Sequence, residues 1–132
     1  MNENFLAAYR PQLLSLFRFM TGLLLLQYGV AKILKFPPGT MFDKVELFSL
    51  IGLAGALELI LGGLLTVGLF SRLAAFILAG EMAFAYFIGH FPRGFIPLLN
   101  GGNAAILFCF ACLYFACAGG GPWSLDAMMR KR

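Results

Sequence analysis

The sequence predicts an all-α integral membrane four-helix bundle with both termini on the same side of the membrane. Three observations predict it. Of 132 residues, 61% are hydrophobic and only 12% charged, and the mean hydropathy is +0.86, which lies outside the range of soluble globular domains. Several uninterrupted apolar runs approach the ~20 residues needed to cross ~30 Å of hydrocarbon at about 1.5 Å per residue. Those runs are continuous rather than alternating, which argues against the short two-faced strands of a transmembrane barrel.

Taken in order, the spans fall at about 11–34, 49–70, 72–90 and 98–118, a single transmembrane domain over 1–132. Pro11 suits a first helical turn, and "FPPGT" at 36–40 stops span one. The short connector "FSR" at 70–72 makes spans two and three an antiparallel hairpin. "HFPRGFIP" at 90–97 separates spans three and four, and "AGGGPWS" at 118–124 ends the last. The remaining pieces are a loop near 36–48 and a tail, "SLDAMMRKR", expected to form a short interfacial helix beside Trp123. "MNENFLAAYR" is not a charged n-region and the first apolar run is too long for an h-region, so no cleaved signal peptide is expected.

Loop charges choose the orientation. The net charge of +4 reflects ten Lys plus Arg against six Asp plus Glu. Arg10, Arg72, Arg130, Lys131 and Arg132 collect on the side of the termini, against Lys35, Lys44 and Arg93 on the other. The positive-inside rule places both termini in the cytoplasm of a bacterial-type inner or plasma membrane. In this class the positive balance also suits anionic lipid, and with no basic patch interleaved with aromatic residues nucleic acid is not an expected partner.

The polar residues inside the spans carry the functional reading. At 100° per residue, Arg18, Gly22, Leu25, Gly29 and Lys32 form one stripe on span one. Gly55, Glu58, Gly62 and Thr66 do the same on span two, and Glu81 lies with Ala74, Leu78 and Ala85 on span three. On span four, Asn103 is placed on the inner side with Phe110, Tyr114 and Cys117. Small residues allow close helix approach, so these faces are expected to meet at the bundle centre. Depth along the helices puts Glu58 and Glu81 near the midplane, Arg18 toward the terminal side, and Lys32, His90 and Asn103 toward the other.

An unpaired ion at mid-bilayer costs about 3 kcal/mol on insertion scales. Arg18 is therefore expected to pair with Glu58 or Glu81, with Glu58 favoured and Glu81 left near His90 to exchange protons. Lys32 either neutralises the second acid or leaves it protonated. Buried pairs of this kind also serve simply to fix helix register. The convergence of two acids, two bases, a His and an Asn argues for a polar pocket, with Glu58, Glu81 and His90 as the chemically active candidates and Arg18, Lys32, Asn103 and Tyr114 as ligand-binding ones. One His without a second ligand at metal spacing predicts neither a metal centre nor a bis-His haem. Cys109 and Cys112 have C-x-x-C spacing, but in mid-span a thiolate is disfavoured and packing is the simpler reading.

The series "RFMTGLLLLQYGVAKIL", "ALELILGGLLTVGLFSRLAAFILAGEMAFAYFIGHFP", "GGNAAILF" and "GGGPWSLDAM" resembles the DoxX family of small four-helix membrane proteins over nearly the whole chain. Its most specific parts are the Arg18, Gly22, Gly29, Lys32 array, Glu58 with Gly62 and Gly68 followed by Arg72, and the glycine-rich approach to "SLD". The departure is Asn103, where many members carry Glu. The resemblance implies a redox-associated membrane subunit, because relatives are linked to quinol oxidase, to thiosulfate:quinone oxidoreduction and to thiol or oxidative stress.

On that basis a quinone or similar small oxidant is expected at the bundle centre. Arg18, Lys32 and His90 would donate to a carbonyl, and Glu58 or Glu81 would carry the proton. The chain has no flavin, haem or iron–sulfur motif, so a soluble or membrane oxidoreductase partner would supply electrons. Two other readings stay open: a non-enzymatic binding, assembly or lipid-handling module, and a small proton-coupled transporter. The greasy outer faces also permit a homo-oligomer.

Overall fold

The computed structural model describes residues 3–130, and every element among them is helical. A short α1 (Glu3–Ala7) precedes α2 (Arg10–Gly29), which holds Pro11 in its first turn, where a missing N–H leaves no helical bond unmade. α2 widens into a π-type turn over Val30–Leu34 and stops at Lys35, whose φ of 59° is left-handed. After a loop, Ser49 caps α3 (Leu50–Val67) by accepting from the Gly52 N–H. Then α4 (Ser71–Ala85) follows and also ends in a π-type turn, Tyr86–His90. α5 (Pro97–Asn100), α6 (Asn103–Ala118) and α7 (Leu125–Arg130) complete the chain.

α2 packs along α3 and α4 along α6, and the two pairs join mainly through α3 and α4. The glycine stripe explains the closeness of the first pair. A Cβ on Gly22 would stand 2.5 Å from the Thr66 nitrogen, and one on Gly29 would collide with the Leu59 backbone. Gly22 against Thr66 and Gly29 against Leu59 also shows that α2 and α3 run antiparallel. The core between the pairs is Leu25, Leu65, Ala75, Leu78, Ala79, Met82, Cys112 and Phe115. Phe76, Phe84, Leu107 and Phe110 point outward, where lipid is the solvent that accepts them. The segments Arg10–Leu34, Leu50–Val67 and Ser71–Arg93 are long and apolar enough to cross a membrane, and Asn103–Ala118 is a shorter apolar helix.

The fourth span departs from the expected continuous helix over 98–118. Gly101, at φ 74°, ends α5 after one turn, and the Asn100 side-chain oxygen accepts from the Gly102 N–H at 2.9 Å before α6 begins. The inner face of α6 also differs from the expected one. Ala105, Cys112 and Phe115 are buried, whereas Asn103, Phe110, Tyr114 and Cys117 face outward. With apolar residues all round the helix, periodicity carried no signal there, and a lone Asn at its start was a poor marker of the inner side. The tail forms the expected short helix up to Arg130; Lys131 and Arg132 lie outside the described residues.

Candidate functional site

Two buried polar clusters occupy different depths. The first is built on Arg18, which is 2% exposed. Its Nε donates to the Gly120 carbonyl at 2.9 Å, Nη1 to the carbonyls of Leu65 (2.8 Å) and Thr66 (2.6 Å), and Nη2 to that of Trp123 (2.7 Å). The expected ion pair between Arg18 and Glu58 or Glu81 is not formed. A guanidinium presents a planar fork of five N–H donors, and the helix end of α3 together with the "GGGPW" turn supplies carbonyls with acceptor capacity to spare, Leu65 O taking the Gly68 N–H as well. Carbonyl oxygens at that depth satisfy the donors without drawing a carboxylate down from the midplane. Ser15 joins the same weld, accepting from the Trp123 N–H at 3.0 Å and donating to Gly120 O at 3.3 Å.

The second cluster lies about 20 Å further along α2, fourteen residues at about 1.5 Å each. Here Lys32 Nζ donates to both carboxylate oxygens of Glu58, at 2.8 and 3.1 Å. The Glu58 side chain is 1% exposed and that of Lys32 12%. The ring of Phe42, from the 36–48 loop, lies 5.1 Å from the ammonium and that of Tyr28 5.8 Å from it. Such rings hold a cation by their quadrupoles. Lys35 ties the loop down by donating to the carbonyls of Lys32 (2.8 Å), Phe42 (3.2 Å) and Val45 (2.5 Å).

Glu81 on α4 faces this pair. Glu58 and Lys32 are the charged groups that act on its carboxyl, and the Cys112 thiol from α6 is within its electrostatic reach. Glu81 is 9% exposed, and neither carboxyl oxygen has a hydrogen-bond partner among the described residues. Two carboxyls and one ammonium thus share an apolar interior. An ionised acid without donors in such surroundings is costly.

The remaining expected site residues stand apart. His90 Nδ1 donates to the Asn100 carbonyl at 3.1 Å and its ring stacks on Tyr86. It lies nine residues, or about 13 Å of helix, beyond Glu81. Asn103 and Tyr114 are exposed on the outer face of α6. The buried asparagine is Asn100, 1% exposed, which the sequence reading passed over in favour of Asn103. Its amide donates to Tyr86 Oη (3.1 Å) and Gly94 O (2.9 Å), knitting the turn between α4 and α6. The signal was its place directly before "GG", where a side chain caps the turn a glycine pair makes.

The family described as DoxX matches residues 13–91. The chain belongs to the DoxX family. The matched stretch runs through α2, α3 and α4, so Arg18, Lys32, Glu58 and Glu81 all fall inside it, while Asn103 and Tyr114 fall outside. This DoxX chain is 38% identical over 138 residues to a protein of Haemophilus influenzae described as "Uncharacterized protein", an alignment covering 98% of the chain and 99% of the relative. No solved structure matches it. The DoxX assignment and the apolar helices together make this an integral membrane protein embedded in a lipid bilayer.

Proposed function

We propose that this DoxX protein is a redox-associated membrane subunit in which Glu81 exchanges the protons that accompany reduction or oxidation of a small carbonyl-bearing molecule of the quinone class. The observation that carries this reading is the Glu81 carboxyl, buried and unpartnered beside the Lys32–Glu58 pair. Conversion of a quinone to a quinol takes two electrons and two protons. Glu81 passes the protons singly, and the electrons come from a partner oxidoreductase. Lys32 has a third N–H beyond the two held by Glu58, which suits a ligand carbonyl. Glu58 holds the ammonium in place. Arg18 serves architecture, its donors being committed to four backbone carbonyls. The end bearing Arg10, Arg72 and Arg130 faces the cytoplasm in this reading, by the positive-inside rule.

The test is mass spectrometry of small molecules extracted from gently purified protein, run on the natural chain and on Glu81→Gln. A quinone-class molecule retained by the first, with quinol-dependent proton exchange lost in the second, is the expected result. No such molecule, together with full cellular function in Glu81→Gln, would overturn the proposal.

A further inference from the structure

The two ends of the bundle close the polar centre unequally. Toward the termini, Leu25, Leu65, Leu78 and Phe115 are all fully buried and lie between the centre and Arg18. Below them the Arg18 and Ser15 bonds weld the 120–123 turn across the bundle. Thr21 is the one buried polar side chain of α2 between Arg18 and Gly29, and a single hydroxyl in a packed interior makes no chain along which water or a proton passes.

The opposite end is closed by far less. Lys32 is the most exposed member of the centre, its side chain 12% exposed against 1% for that of Glu58. Over its ammonium lie two rings, Phe42 at 5.1 Å and Tyr28 at 5.8 Å, set edge-on to each other at 6.1 Å, and Tyr28 in turn meets Phe108 at 6.3 Å; of these only Phe42 belongs to the loop. Phe42 sits on a connector built of turns, held by Lys35 and by the Gly39 N–H donating to Asp43 Oδ2 at 2.8 Å. A loop held by two partly buried bonds from Lys35, one exposed bond at Gly39 and the contacts of a single ring opens more readily than a packed core.

We infer that the Lys32–Glu58–Glu81 centre communicates only with the side of the membrane bearing the 36–48 loop, and that Phe42 is the residue that gates it. What passes rests on the reading of Glu81 given above; the route does not. Small polar molecules and protons enter beside Lys32 when the Phe42 ring swings off the ammonium, and none cross to the terminal side.

Cys112 is a native reporter, lying next to Glu81 in the same interior. In full-length protein carrying Cys109→Ala and Cys117→Ala, reconstituted in vesicles, the cationic impermeant reagent trimethylammonium-ethyl methanethiosulfonate is added to one side at a time. Thr40→Cys and Met129→Cys, each in a chain otherwise free of cysteine, mark the two sides. Labelling of Cys112 is expected from the Thr40 side alone, and about tenfold faster in Phe42→Ala, since exchange tracks the population of the open form. Phe42→Leu, which keeps most of the volume, gives an intermediate rate and guards against a loss of fold. Labelling from the Met129 side, unchanged rates in both Phe42 variants, or no labelling in either would overturn the inference. One-sided, Phe42-dependent labelling in a protein whose Glu81→Gln variant functions fully would leave the route standing and remove the proposed function.

Discussion

Lys32 holds both oxygens of Glu58, joining α2 to α3 at 2.8 and 3.1 Å inside the bundle. Removing Lys32 leaves an uncompensated carboxylate on Glu58, whose side chain is 1% exposed. Lys32→Met is expected to destabilise by about 3–5 kcal/mol, and Glu58→Gln by a comparable amount. The double variant leaves no stranded ion and should recover much of the loss. Denaturation in detergent, read as a double-mutant cycle, checks this; additive losses would show that the two groups act independently.

Arg18 is expected to matter for the fold more than any loop cation. Its truncation to Ala strips partners from the carbonyls of Leu65, Thr66, Gly120 and Trp123, at a cost of about 1–3 kcal/mol for each acceptor left dry. Arg18→Lys should rescue little, because a point charge cannot span four carbonyls. Arg93→Ala, on the solvated turn after α4, is the comparison. Equal melting temperatures for Arg18→Ala and Arg93→Ala would refute the weld.

Much of this architecture was legible in the sequence, for reasons that individual residues show. Arg18, Gly22, Leu25, Gly29 and Lys32 fell on one stripe because span one alternates small and bulky positions, and all but half-buried Lys32 are buried in the structure. Span two read equally well, with Gly55, Glu58 and Gly62 inward. α6 did not, since Leu, Phe and Cys circle it evenly and a helix in lipid needs no polar face. The charge pairing was misread for a different reason. Counting formal charges matched Arg18 with an acid, but the true partners are main-chain carbonyls, two at the end of α3 and two in a turn that closes about a hundred residues away in sequence. Composition and spacing give no view of such partners.

The closeness of α2 and α3 gives a further prediction. A Cβ on Gly22 meets backbone atoms of Leu65 and Thr66, which cannot rotate away as a side chain can. Gly22→Val is expected to destabilise by about 1–3 kcal/mol through overpacking. Gly80→Val, where a Cβ would meet open space, should change stability little. Thermal unfolding of the two variants in one detergent decides between close packing and mere flexibility as the purpose of the glycines.

The last prediction concerns the terminal end, where Asp126 joins the tail to the bundle. Its carboxylate accepts from the N–H groups of Phe70 and Ser71, both at 2.8 Å, at the positive end of the α4 dipole. Burial alone would raise its pKa, but those two donors outweigh it, with Arg130 adding to them, and hold the group below its ordinary 3.8. A carboxyl depressed on folding contributes stability in full above its unfolded value, and loses that contribution as pH falls through the lower folded value. The melting temperature of the natural chain should therefore begin to fall as pH drops below about 4. Asp126→Asn should start lower at neutral pH, since an amide is a weaker acceptor and brings no charge to the dipole, and its acid limb should be shallower. The comparison is made between about pH 6 and pH 3, below the range in which histidine titrates. Parallel acid limbs in the two proteins would show that Asp126 does not anchor α7 to the turn between α3 and α4.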